Sequence, residues 1–303
     1  MTTSTPTTPL GDPGPTPAED RPVREVVVGV DGSECGLGAV RWAAREAGRR
    51  GASLRILHAA PYLGHGGSGR PPSPELPRAR RIMAQAYTVA RHTDPGVQTS
   101  TEIVPDDPTS TLLRAAAAGQ LVVLGSSTTG AADEMVLASV AVRVAAKSPH
   151  PVVVVPRQRS GSTENRPAVA VLGVGDRADD EAVATFAAEA AERWGVGLTV
   201  LQTRPPRRSV GDSWVDDADE WHRRYPTLEV TRTDMPAPRA DRVLIATCPA
   251  PLLVISAGKG TLLHRFLDGP HRWLLRHCTS PMALVQTVHR RGEEPLEVIL
   301  SLG

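Results

Sequence analysis

Aromatic residues are scarce in this chain, at 3% of its 303 positions, although apolar residues in total reach 40%. A core must therefore be filled with Val, Leu and Ala, which suits stacked helix and sheet layers better than aromatic-rich sandwiches. Cysteine is scarcer still: Cys35, Cys248 and Cys278 are odd in number, far apart and without a CxxC pair. That argues against a disulfide framework and a cysteine zinc site, and it fits a reducing cytoplasm. A charge excess is missing too, because 34 Lys and Arg offset 33 Asp and Glu to a formal net charge of +1. No overall field draws the chain to nucleic acid or anionic lipid, and local basic groups such as Arg78, Arg80 and Arg81, or Arg207 and Arg208, read as solvated faces. No uncharged run approaches the roughly 18 residues that a membrane-spanning helix needs. The stretch MTTSTPTTPLGDPGPTPAEDRP lacks both the basic start and the apolar run of a secretion signal, and its Thr and Pro content predicts a disordered tail over residues 1–22.

What the chain does contain is a repeat. The segment WAAREAGRRGASLRILHA from Trp42 resembles FAAEAAERWGVGLTVLQT from Phe186, with Ala43, Gly51, Leu54 and Leu57 matching Ala187, Gly195, Leu198 and Leu201. Further on, LVVLGS from Leu121 resembles LLVISA from Leu252, and HPVVVVP from His150 resembles SPMALVQ from Ser280. Each copy alternates short β-branched runs with helical patterns, as successive βαβ units on a parallel sheet do. The first copy predicts strands over Glu25–Val30, Ser53–His58, Val97–Val104, Leu121–Leu124 and Val152–Val155. The second predicts them near Val169–Val174, Leu198–Gln202, Leu228–Thr231, Leu252–Ile255 and Met282–Val285. Apolar stripes at Leu37, Val40, Ala44 and Ala47, and at Val136, Val140 and Val144, predict helices that cover the sheet. The polar run RQRSGSTENRP reads as a linker. The expected organisation is a tail (1–22), a first domain (23–157), a linker (158–167), a second domain (168–288) and a carboxyl-terminal tail (289–303).

In an open α/β sheet, ligands sit beyond the carboxyl ends of strands where the winding reverses, because neighbouring loops part there. Val30 and Asp31 follow the first strand, and Gly125 opens the run GSSTTGAADEMVLASVAVRV after the fourth. Small residues ahead of a helix offer backbone amides to an anion such as phosphate. For Asp31 the sequence DGS equally suits a turn or a helix cap.

The duplicated body, about Val23 to Val288, resembles a tandem universal stress protein. The residues that carry the resemblance are VVVGVDGSECGLGAVRWAAREA, LRILHA, LVVLGSSTTG and the helix that closes into PHPVVVVP. The resemblance implies two Rossmann-like doubly wound domains, each a five-stranded parallel sheet of order 3-2-1-4-5 with helices on both faces. It also implies an adenine-nucleotide site, with ATP and Mg²⁺ as ligands, in which Asp31 lies beside the nucleotide. The family's ATP signature is Gly, two residues, Gly, nine residues, then Gly and Ser or Thr. The same register here gives Gly125, Ser126 and Ser127, Thr128, nine residues, then Ala138 and Ser139. The spacing is kept and two of three glycines are replaced. Thr128 brings a β-branched side chain where close backbone approach or positive φ is wanted. Thr and Ser hydroxyls, and Gly130 two residues on, are the compensating groups.

The second copy departs further: Asp31 aligns with Gly175, followed by Asp176, and Gly125 aligns with Ser256. Its Gly258, Lys259 and Gly260 do not make a P-loop, because a glycine stands where the hydroxyl residue belongs, and Gly269 is followed by Pro270. A phosphoacceptor receiver needs a lysine after its last strand, where Pro156 and Arg157 stand. The sequence identifies no partner histidine for a nucleophile at Ser33 or Cys35, no GxSxG occurs, and His58 reads as a satisfied histidine. His264, His271 and His277 lack chelating spacing. No catalytic and no metal residues are assigned.

The expectation is a cytoplasmic, non-enzymatic stress-response regulator with a nucleotide site in the first domain at Val30, Asp31, Gly125, Ser126, Thr128, Gly130, Ala138 and Ser139. Two alternatives stand beside it: a nucleotide-free scaffold for protein partners, and a slow ATP hydrolase. Apolar fifth strands at the sheet edges predict pairing within the chain, an intramolecular pseudo-dimer that leaves room for a further homodimer.

Overall fold

Both copies open on an apolar run that alternates its side chains between two faces, and in the computed structural model each such run lies inside one sheet. The structure describes residues 25–63, 75–126, 140–141, 143–157, 166–172, 177–202, 215, 218–235, 250–257 and 278–286. The first half contributes β1 (Glu25–Gly29), β2 (Ser53–Ala59), β3 (Thr99–Val104), β4 (Leu121–Ser126) and β5 (Val152–Pro156). Its helices are α1 (Glu34–Arg50), α2 (Leu76–Thr93), α3 (Pro108–Ala118) and a helical stretch over 143–147. The second half contributes β6 (Ala168–Leu172), β7 (Leu198–Gln202), β8 (Val230–Asp234), β9 (Leu253–Ser256) and β10 (Met282–Val285), with α4 (Arg177–Trp194) and α5 (Ala218–Arg224). The eighth strand starts two residues later than the sequence suggested.

The strand order is β3-β2-β1-β4-β5-β10-β9-β6-β7-β8, so each half has the order 3-2-1-4-5. Pairs within a half are parallel, as crossover helices require. Val26 and Val28 turn to the face covered by α1 and α2, and Val27 to the face covered by α3, which is the two-residue period of a strand buried on both sides. The outer strands β3 and β8 carry mostly exposed Thr, Ser, Glu and Arg, a polar edge that resists further pairing.

The fifth strands lie side by side, as expected, and are the one antiparallel pair among the described strands: Met282 faces Val154, Ala283 faces Val153 and Leu284 faces Val152. Val153 and Ala283 are counterparts in the repeat, so the halves meet about a local twofold at that pair. A second contact joins α1 to α4. Glu46, 1% exposed, accepts hydrogen bonds from Arg50 Nε at 2.6 Å and from Trp194 Nε1 at 2.7 Å, and the Arg193 guanidinium lies 3.7 Å away. Trp42 meets Trp194 edge to face at 6.1 Å. Burial, together with the charge of Arg50, lowers the Arg193 pKa from its ordinary value.

The register corrects one alignment. Val26 faces Leu54, and Ala168 faces Leu198, so the first strands are offset by 142 positions whereas the helices and second strands are offset by 144. The 144-position offset that aligns Asp31 with Gly175 therefore does not hold through β6, and the second copy has two more residues between its first strand and the helix that follows. The loop residues Gly175, Asp176, Gly258, Lys259, Gly260 and Gly269 lie outside the described residues, as do the two tails and most of the linker.

Candidate functional site

The turn after β1 is built from short-range bonds that its residues dictate. Asp31 Oδ1 accepts from the Ser33 backbone N–H at 2.9 Å and from the Ser33 hydroxyl at 2.7 Å, and Ser33 Oγ in turn accepts the Gly36 N–H at 3.0 Å. Ser33 is the cap of α1 and Asp31 fixes the cap, so the structural role read from DGS is present. Gly32 between them has φ +88°, a left-handed conformation that favours glycine. These bonds occupy one carboxylate oxygen of Asp31; Oδ2 takes part in none of them.

Gly125 is a strand residue and not the first residue of a loop. It pairs with Val155, and Ser126 with Pro156, extending β4 two residues past the expected end. Its lack of a side chain has a packing cause: a Cβ there would lie 2.4 Å from the Cys35 carbonyl oxygen and 2.7 Å from the Gly36 nitrogen. The end of β4 thus rests directly on the start of α1, which brings the first and fourth strand ends together.

Between those ends lies a cavity of about 310 Å³. Volumes of roughly 300–1,000 Å³ are usual for small-molecule sites, so this one suits a compact ligand. Val30 and Asp31 contribute to it from the β1 side, His58 from β2, Thr111 from α3 and Gly125 from β4, while Leu57, Leu112 and Leu124 give apolar wall. Val30 is not free to bind through its backbone: its N–H donates to the Leu57 carbonyl at 2.8 Å and its carbonyl faces His58 Nδ1 at 2.8 Å. His58 Nε2 lies 3.1 Å from the Tyr62 hydroxyl. Nδ1 faces a carbonyl and must carry a proton, so the buried ring is satisfied at both nitrogens.

Of the residues expected at the site, the structure brings together Val30, Asp31 and Gly125. Ser126 is 6% exposed at the strand end and does not line the cavity. Thr128, Gly130, Ala138 and Ser139 lie outside the described residues. The α3 wall was not anticipated. Asp107 capping Ser110, with Pro108 at the first helical position, marks where α3 begins, but that signal does not say that the helix end abuts β1. Among the described residues no group of three or more His, Cys, Asp or Glu is placed to hold a metal ion. Cys35 and Cys278 are buried and not joined in a disulfide. No described helix is long and apolar enough to cross a membrane.

Residues 22–156 match the profile of the Universal stress protein family. A universal stress protein of Mycolicibacterium smegmatis is 28% identical over 287 residues, covering 86% of this chain and 96% of its own length. The crystal structure of a universal stress protein from Archaeoglobus fulgidus superposes with a TM-score of 0.63 at 13% identity, over 88% of this chain and 97% of that one. A universal stress protein solved in complex with cAMP aligns with 46% of this chain and 100% of its own, at 25% identity and a TM-score of 0.35.

Proposed function

We propose that the chain is a universal stress protein whose first half, which matches that family's profile, binds an adenine nucleotide in the cavity between the ends of β1 and β4. The role is that of a non-enzymatic regulator in stress adaptation. The observation that carries the reading is the convergence of two strand ends, held by the backbone contact at Gly125, on a hollow whose described lining has apolar walls and the Asp31 carboxylate. The walls suit a base and its sugar. Asp31 Oδ2, outside the bonds of the turn, is a hard oxygen of the kind Mg²⁺ takes. The phosphates fall to Gly125 and to the Ser, Thr and Gly run that follows it in sequence, from Ser126 through Thr128 and Gly130 to Ala138 and Ser139. The non-enzymatic part is supported by His58, the imidazole on the cavity wall, which has both nitrogens engaged and so is no general base.

Titration calorimetry with ATP and Mg²⁺ at a protein concentration of about 0.1 mM tests this reading, since heat is then expected for any site tighter than about millimolar. Absence of heat rejects it in favour of the scaffold. Thr128→Gly tightens binding where backbone approach to phosphate is the obstacle. Phosphate release above a buffer blank favours the slow hydrolase.

A further inference from the structure

We propose that Thr111 sets the specificity of this cavity: its hydroxyl has no partner among the described residues and takes one from a polar ring atom of the bound base. The inference rests on the nucleotide reading above and adds a residue to it. Thr111 stands one turn into α3, is 3% exposed, and lines the cavity. Its Oγ1 is buried with no hydrogen-bond partner among the described residues. Buried hydroxyls are nearly always paired, and one left alone is destabilising, so the molecule carries a cost here that its own packing does not explain.

The usual local remedy is unused. A helical threonine commonly donates to the carbonyl one turn back. That carbonyl, of Asp107, accepts the Thr111 backbone N–H at 2.9 Å but not the hydroxyl. Nor do neighbours help: Pro108, Leu112, Leu57 and Leu124 line the same wall and have no polar side-chain atoms. Among the described residues of the wall, His58 is committed at both nitrogens and Asp31 at Oδ1, and no hydrogen bond joins either to Thr111. Thr111 bears a methyl and a hydroxyl on one carbon, and a turn about χ1 exchanges them at the cavity surface without moving the helix. A hydroxyl both donates and accepts, so it serves a ring nitrogen or an exocyclic amine. Its apolar surroundings select a heterocycle over phosphate, which would leave most of its oxygens unpaired there.

The test compares wild type, Thr111→Val and Thr111→Ser by thermal unfolding without nucleotide and by titration with ATP and GTP, each with Mg²⁺. Thr111→Val keeps the shape and removes the orphan hydroxyl. The expected results are a melting temperature raised by about 2 °C or more, ATP affinity lowered about tenfold, and a reduced preference between ATP and GTP. Thr111→Ser keeps ATP affinity within about twofold of wild type. A melting temperature lowered by Thr111→Val means that the hydroxyl is paired in the folded protein, and overturns the proposal. Unchanged ATP affinity in Thr111→Val overturns it as well and leaves the nucleotide reading standing. A wild type that binds neither nucleotide overturns both.

Discussion

The two halves of the sheet share a strand order and differ in what fills the place where the first strand meets the fourth. Gly29 faces Leu57 and Leu124, and in the second half the position facing Leu201, beside the strand that holds Ile255, is Val171. Gly125 faces Val155, and its counterpart facing Val285 is Ser256. Both replacements are buried, at 3% exposure each. Two features away from this place are retained, although the helix between the second and third strands shortens from α2 to α5. Gly51 and Gly195 end α1 and α4 with φ of +59° and +66°, and each donates its N–H to the carbonyl three residues back. The Ser148 hydroxyl donates to the His150 carbonyl, and the Cys278 thiol donates to the Ser280 carbonyl in the matching turn. What ends helices and builds strands has been kept, and what leaves space has been replaced. Among the described residues at these strand ends the difference is one of volume at two glycine positions, so volume is where the comparison can be broken.

The largest effect is expected from separating the halves. Glu46→Ala leaves the Arg50 Nε–H and the Trp194 N–H without their shared acceptor and removes the counter-charge beside the Arg193 guanidinium. Removing one partner of a buried charge cluster costs about 3–5 kcal/mol. Urea unfolding measures it, and a loss below about 1 kcal/mol means that β5 and β10 hold the halves together without the α1–α4 contact.

A more selective change gives the first half the residue of the second. In Gly29→Val the new Cβ lies 2.7 Å from Leu124 Cδ2, the end of a flexible side chain, and the rest of the group enters the cavity. Overpacking of this kind costs about 1–3 kcal/mol, so the variant folds. Nucleotide affinity is expected to fall at least about tenfold, since the bound ring and the isopropyl group compete for one volume. Retained affinity in the folded variant places the nucleotide elsewhere and removes volume as the basis of the contrast.

The sheet was largely legible in the sequence because β-branched runs of four to six residues announce themselves locally, and the repeat doubled each signal. Met282–Val285 and Leu198–Gln202 were read to the residue. The end of β4 was misread because Gly125 and Ser126 belong to types depleted in strands, whereas here pairing with Val155 and Pro156 decides. Of the site, the sequence offered the pieces that flank strands one and four. It gave no hint of Thr111, whose buried hydroxyl has no partner among the described residues, or of Glu46, whose partner Trp194 is 148 positions away. Such contacts are properties of the packed chain, and no local pattern encodes them.

The smallest expected effect separates the halves by their response to acid. His150 precedes β5 in the turn where the second half has Ser280, a residue that does not titrate in this range. Partial burial holds the His150 imidazole below its ordinary pKa of 6.5, so the folded protein resists a proton that the unfolded chain accepts. Stability is therefore complete above the ordinary histidine range. It declines as pH falls through 6.5 toward the lowered folded value, and is flat below it. His150→Ser, which copies the second half, removes this part of the decline. Urea midpoints at about pH 7.5 and pH 5.5 compare the two proteins. The wild type is expected to lose more than the variant between them; equal losses mean that the acid response belongs to other carboxylates and imidazoles, and that the two fifth-strand turns are electrostatically alike.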